Sequence, residues 1–269
     1  MEHLPDADWC NPPYRGIPGG CLALPPRANT ELLVYLHGMY AETAAAEEEE
    51  RRARVARIAN ARGMTVLALR GKRGECTQAA AKTWFCWPSN PDNVADAPAF
   101  AADVTAAMSE AEKLIGPATR RVLLGFSNGG YFAAILATRS LVPFDAMTIA
   151  GAGPPPRHAP PARRPPILLL GADEDPSVES LLELDRDLSR GAWPHALVGR
   201  EGGHALTDAD VTMAVTFFER TKKEPLPLEP PLSTRVPKPK PPARDGGADD
   251  AGAEAGPLDA AVAPVTDDE

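Results

Sequence analysis

The chain has little of what several large classes of protein require. No apolar run approaches the ~20 residues that cross a bilayer; the longest, such as 32–36 and 167–170, are far shorter, so no membrane span is expected. The first residues, Met1-Glu2-His3-Leu4-Pro5 onward, show neither a basic n-region nor an apolar h-region, and no signal peptide is legible there. Basic residues are outnumbered, 28 Lys and Arg against 37 Asp and Glu, for a formal net charge of -9. That balance argues against nucleic acid as a partner, since phosphate contacts need a basic face. The four cysteines include no Cys-x-x-Cys and no Cys/His cluster with zinc-site spacing. No Gly-x-Gly-x-x-Gly opens a helix, no Gly-x-x-x-x-Gly-Lys-Ser/Thr occurs, and Asp173-Glu174-Asp175 lacks the glycine and distal Glu of a calcium loop. Neither a cofactor nor a metal is expected.

What is present reads as one globular domain with a tail. Of 269 residues, 43% are hydrophobic and 24% charged, ordinary for a folded protein. The 30 prolines are uneven, and ten of them fall in 222–269. That stretch has no aromatic residue and no periodicity; its first part, to Arg244, is basic and its remainder acidic. Such a segment cannot bury enough apolar surface to offset its ordering entropy, so a disordered tail is expected there, its partner unknown. The cysteines fall as two local pairs, Cys10 with Cys21 and Cys76 with Cys86. Disulfides would fit an exported protein and four buried thiols a cytosolic one, and the short loop each pair closes favours disulfides. Localisation stays open.

Continuous apolar runs at 32–36, 65–69, 121–126, 146–150, 167–170 and 196–200 have the character of strands buried on both faces of a parallel sheet. Amphipathic stretches lie between them. The first, 41–62, carries Glu47/Arg51, Glu48/Arg52 and Glu50/Arg54 at i,i+4, which reads as a solvated helix face. Another begins with Asp96 as N-cap and Pro98 in the first turn and runs to 115. Strands separated by helices predict a mainly parallel α/β/α three-layer sandwich over 31–221, after an irregular N-terminal arm, 1–30.

The segment richest in chemistry is Gly125-Phe126-Ser127-Asn128-Gly129-Gly130, placed between a buried strand and an apolar helix. A serine nucleophile needs a strained strand-to-helix turn that lifts its hydroxyl above the sheet, and the crowding two residues either side favours glycine. The following helix brings backbone N–H groups and a positive dipole end to the reacting carbonyl. A serine also needs a base, and the base a carboxylate. Of five histidines, His204 alone follows a late strand, in Gly202-Gly203-His204, and precedes a final helix. Asp173, Glu174 and Asp175 follow the preceding strand; Asp175, before Pro176, is chosen as the acid, with Asp173 the alternative. The oxyanion donors are assigned to the N–H of Asn128 and to that of Met39, or Tyr40, in His37-Gly38-Met39-Tyr40. His37 is read as structural, holding that loop.

Tyr35-Leu36-His37-Gly38, the Gly-x-Ser-Asn-Gly-Gly segment, Asp175-Pro176 and Gly203-His204 together resemble the α/β-hydrolase superfamily. Gly-x-Ser-Asn-Gly-Gly resembles its carboxylesterase, feruloyl esterase and polyhydroxybutyrate depolymerase-like branch. The resemblance spans about 30–220 and implies carboxylic-ester hydrolysis through an acyl-enzyme on Ser127, with His204 and Asp175. Two departures stand out: no strands are legible before Leu32, and Ala172 stands where glycine usually precedes the acid by three residues. The connection 151–166 is too short for a lid domain, which favours small-molecule or polymer-end esters. Tyr40, Trp84 and Trp87 are candidate substrate contacts; the alternative has the aromatics of 70–90 sealing a loop pinned by Cys76–Cys86. A serine peptidase or acyltransferase on the same residues, or a non-catalytic binding module, are the rival readings.

Overall fold

The computed structural model describes residues 7–27, 29–153 and 163–222. The expected tail, from 223 on, lies outside these residues, as does 154–162 of the connection expected to carry no lid.

The elements in chain order are β1 (Arg15–Ile17), β2 (Gly20–Ala23), β3 (Glu31–Leu36), α1 (Ala45–Ala61), β4 (Thr65–Leu69), β5 (Lys72–Arg73), β6 (Phe85–Cys86) and α2 (Ala97–Ile115). Then follow β7 (Arg120–Phe126), α3 (Asn128–Thr138), β8 (Ala146–Ala150), β9 (Ile167–Ala172), α4 (Val178–Arg190), β10 (His195–Arg200) and α5 (Asp208–Arg220). Eight strands form one sheet in the order β1-β2-β4-β3-β7-β8-β9-β10, parallel from β4 to β10. Strands β5 and β6 pair as a separate small ribbon. The architecture is a three-layer α/β/α sandwich.

Strand β3 shows why the apolar runs are continuous. Leu32, Val34 and Leu36 belong to the core on the face covered by α2, α3 and α4, while Leu33 and Tyr35 belong to the core on the face covered by α1 and α5. A strand covered on both faces has no position left for a solvated residue.

The N-terminal arm is not irregular as expected. Strands β1 and β2 form an antiparallel hairpin, and β2 pairs antiparallel with β4, extending the sheet. With three and four residues joined through Pro18-Gly19, these strands are too short to show periodicity. At Gly20 an added Cβ would come 2.8 Å from a Leu67 methyl, so glycine lets β2 pack closely on β4. A Cys10–Cys21 disulfide ties the preceding segment to β2, and a Cys76–Cys86 disulfide spans the ribbon loop.

Helix α1 also departs from expectation. The stretch begins with one turn of 3-10 helix, Glu42–Ala44, and the charged face is not all solvated. Glu48 and Arg52 are 1% and 6% exposed and share the buried stripe with Val55, Ala56 and Ala59. Positions 48, 52, 55, 56 and 59 follow the i, i+4, i+7, i+8 spacing of a core-facing stripe, so ion-pair spacing and burial spacing coincide here. Arg51 pairs with Glu48 rather than Glu47 alone, and Arg54 reaches Asp208 at 2.7 Å. Burial pushes the Glu48 carboxyl up to about 7 against the opposing pull of Arg51 and Arg52.

Candidate active site

The C-terminal ends of β3, β7, β9 and β10 converge on one edge of the sheet, where loops of a parallel sheet can present side chains together. Ser127 sits between β7 and α3 at φ 51°, ψ -122°, a left-handed backbone that a non-glycine residue rarely adopts. Its own N–H is bonded to Ala150 O at 2.8 Å, which anchors the turn to β8. The flanking glycines are required by contact. A Cβ at Gly125 would lie 2.5 Å from Gly129 O, and one at Gly129 would lie 2.4 Å from Leu36 O.

Ser127 Oγ lies 2.8 Å from His204 Nε2, and His204 Nδ1 lies 2.8 Å from Asp175 Oδ2. The carboxylate accepts from Nδ1–H, leaving Nε2 to accept from the hydroxyl. Asp175 is buried, and its other oxygen accepts from Ser177 N at 2.8 Å and Ser177 Oγ at 2.6 Å. Burial alone would raise this carboxyl; the hydrogen bonds from His204 and Ser177 outweigh it and hold the pKa below the usual aspartate value. The imidazole stacks on Phe126, with ring centroids 5.0 Å apart. Gly151 closes the back of the pair, since a Cβ there would meet Asp175 Oδ2 and His204 Cε1 at 3.1 Å.

Asp173, the alternative acid, points elsewhere: its Oδ1 accepts from Gly202 N at 3.0 Å, bracing the loop that carries His204. His37 is fully buried. Its Nε2 accepts from Gly71 N at 2.8 Å, so the proton sits on Nδ1, 2.5 Å from Gly38 O. Burial drives its pKa down to about 3, and a ring that stays neutral and has both nitrogens engaged is a brace for the β3 loop. Tyr40 N–H is directed to Phe85 O at 3.4 Å, which leaves Met39 as that loop's candidate donor. Met39 and Asn128 line the same cleft as Ser127, and Asn128 opens α3, where backbone N–H groups lack helical partners.

The aromatic candidates do not line this cleft. Trp87 is buried, stacked parallel on Phe132 at 5.4 Å, with its indole N–H donating to His37 O at 3.0 Å. Tyr40 is buried against His37 and Phe85, and Trp84 packs on the Cys76–Cys86 disulfide. Trp87, whose N–H finds an internal partner, goes inward, and the rings together seal the loop. The cleft, about 420 Å³, is lined instead by Met39, Glu75, Gln78, Asn90, Tyr131 and Ser180, together with Ser127 and Asn128. The sequence reading missed Glu75, Gln78 and Asn90 because the 70–96 segment has no periodicity that tells a cleft wall from a loop. Asn128 also holds that wall: its Nδ2 donates to Ser89 Oγ at 2.5 Å, and its Oδ1 accepts from Trp87 N at 2.6 Å. Among the described residues no group of three or more His, Cys, Asp or Glu could hold a metal, and no helix is long and apolar enough to cross a membrane.

No protein-family model and no curated protein matches the sequence. Solved structures do match in shape. The chain is similar to the esterase PE8, at TM-score 0.58 and 18% identity over 76% of this chain and 98% of that one. It is similar to YahD, solved with malic acid, at TM-score 0.57 and 17% identity over 75% and 99%. It is also similar to the Bacillus cereus carboxylesterase, at TM-score 0.56 and 17% identity over 78% and 96%. The fold is that of the α/β-hydrolases. In this chain the β1–β2 hairpin supplies the sheet edge for which no strands are legible before Leu32.

Proposed function

We propose that the protein is a serine esterase that cleaves carboxylic esters through an acyl-enzyme on Ser127. The observation that carries the reading is the continuous hydrogen-bonded line from Ser127 Oγ through His204 to Asp175, both links 2.8 Å long. The similarity in fold to esterases supports it.

In this reading His204 Nε2 removes the hydroxyl proton as Ser127 Oγ attacks the ester carbonyl. The imidazolium that forms is stabilised by the Asp175 carboxylate on its other nitrogen. The N–H groups of Met39 and Asn128 receive the oxyanion, with α3 aimed N-terminus first at the developing charge. His204 then returns the proton to the departing alcohol. Water, deprotonated by the same nitrogen, attacks the acyl-serine and releases the acid. Strain is part of the design: a nucleophile held at positive φ is presented to substrate before substrate arrives. The cleft's hydroxyl and amide groups suit small polar esters better than long acyl chains.

Labelling with a fluorophosphonate, mapped by mass spectrometry beside a p-nitrophenyl acetate assay, tests the proposal. The expected result is an adduct on Ser127 and turnover that Ser127→Ala removes. Folded protein giving neither adduct nor turnover would reject it in favour of a binding module.

A further inference from the structure

We infer that Arg200 is a positioning residue for His204, acting through the loop that carries the imidazole; the inference rests on the role proposed for that histidine. Arg200 ends β10, four residues before His204, and its side chain folds back under the loop. Its Nε donates to both Asp210 carboxylate oxygens at 3.0 Å. Nη1 donates to Glu201 O at 3.0 Å, and Nη2 to Ala205 O at 2.6 Å and, longer, to Gly203 O at 3.4 Å. One planar guanidinium thus spans the carbonyls on both sides of His204.

The clamp is itself held. Asp210 is 4% exposed and belongs to the capping box of α5, accepting from Thr207 N and Thr207 Oγ1 at 2.8 Å each. A rigid helix terminus therefore fixes the carboxylate, the carboxylate fixes the guanidinium, and the guanidinium fixes a loop containing Gly202 and Gly203. Glycine-rich segments lose the most freedom on ordering, so a loop of this composition needs an external hold. Asp173 at Gly202 N supplies one side of it and Arg200 the other. A five-donor planar fork does this, whereas a lysine ammonium could not reach the carboxylate and the carbonyls at once.

The test uses the full chain with Arg200→Gln and Arg200→Lys, alone and combined with His204→Ala. With p-nitrophenyl acetate, kcat is expected to fall roughly 10–100-fold in either single variant, the scale of a misplacement near 1 Å, while KM stays within about twofold. In the His204→Ala background neither substitution should lower the residual rate further, because the residue acts through the histidine. The second readout needs no turnover. The His204 Nδ1–H proton resonance, assigned by its loss in His204→Ala, should broaden into solvent exchange in Arg200→Gln. An equal further loss in the His204→Ala background would overturn the inference, and so would an unchanged Nδ1–H resonance. If Arg200→Gln does not fold, Arg200→Lys retains the charge opposite Asp210, and wild-type kcat in it would overturn the inference. A wild-type protein with no turnover and no adduct would instead reject the esterase reading, leaving the resonance to decide the positioning role.

Discussion

Asp173 and Asp175 follow the same strand two residues apart and grip the His204 loop at different points. Asp175 takes the imidazole Nδ1–H, and Asp173 takes the backbone N–H of Gly202. The alternation of side-chain direction does not separate two residues of equal parity, so the turn at Asp173-Glu174 must. It is set by backbone bonds from Asp173 N to Arg200 O and from Glu174 N to Gly202 O, both 3.0 Å.

The two carboxylates should therefore fail differently. Asp175→Asn leaves a side chain of the same shape but offers Nδ1 a weaker or reversed partner, and kcat should fall about 10⁴-fold with KM little changed. Asp173→Asn retains an oxygen for Gly202 N and should cost less than about tenfold. Steady-state kinetics on one p-nitrophenyl ester separates them; equal losses would make Asp173 as good a candidate for the acid.

How much of this was legible from residues alone follows from where sterics act. The turn around Ser127 left a clear trace because a Cβ at Gly125 or Gly129 has nowhere to go. The strands were legible because burial on both faces leaves unbroken apolar runs. Trp87 stayed open between substrate contact and loop seal because an aromatic in a loop looks the same whether its indole N–H faces substrate or, as here, a buried carbonyl. Glu48 was misread because i,i+4 spacing serves an ion pair and a core stripe alike. The link between Arg200 and Asp210 spans ten residues with no periodic pattern, and only the fold brings them together.

Strain at Ser127 predicts a stability gain on losing it. A residue held at φ 51° stores about 1–3 kcal/mol, whereas introducing glycine costs about 0.4–1 kcal/mol through the unfolded chain. The strain is the larger quantity, so Ser127→Gly should be more stable than Ser127→Ala by about 1 kcal/mol, or about 2–4 °C in Tm. Both variants should be inactive. Thermal unfolding of the pair checks this, and equal midpoints would mean that the turn is not strained.

Glu75 is the one charged side chain among the cleft-lining residues. Burial and then the nearby Asp96 charge push its carboxyl above the usual glutamate value against the weaker pull of Lys72 and Lys82, a cost that a cationic ligand would relieve further. Acetate esters of matched size with cationic, neutral and anionic alcohols should rank in that order of kcat/KM, separated by about fivefold per step, the ~1 kcal/mol of a solvated charge pair. Glu75→Gln should collapse the ranking while leaving the neutral ester unchanged. A ranking that survives the substitution would place the discrimination elsewhere.

Two buried groups give stability opposite pH dependences. His37 stays neutral in the fold down to about 3, while in the unfolded chain it protonates near its ordinary ~6.5. Stability from that source falls as pH drops from about 6.5 towards 3, with a slope of at most ~1.4 kcal/mol per unit. Glu48 keeps its proton in the fold up to about 7 and loses it in the unfolded chain near ~4.3. Its contribution is complete at acid pH and is lost as pH rises through that window. Urea unfolding across pH 3–8 should show Glu48→Gln removing the decline on the alkaline side and leaving the acid side as in wild type. The reverse pattern would contradict the burial that sets both.

The Cys76–Cys86 disulfide joins stability to the cleft, because both cysteines lie in its wall while their loop carries Gln78 and Trp84. A bridge across a sequence separation of 10 restrains the unfolded chain by about 3 kcal/mol. Asn128 binds the same wall through Ser89 and Trp87, so loosening the loop also loosens the residue that follows Ser127. Replacing both cysteines with serine should lower Tm and raise KM, with a smaller loss in kcat, since the Ser127–His204–Asp175 line is anchored on strands the loop does not touch. The same substitution at Cys10 and Cys21, on the far sheet edge, should lower Tm and leave KM as it was. Paired thermal melts and kinetics distinguish the two bridges; an unchanged KM in the Cys76→Ser/Cys86→Ser protein would remove the loop from substrate binding.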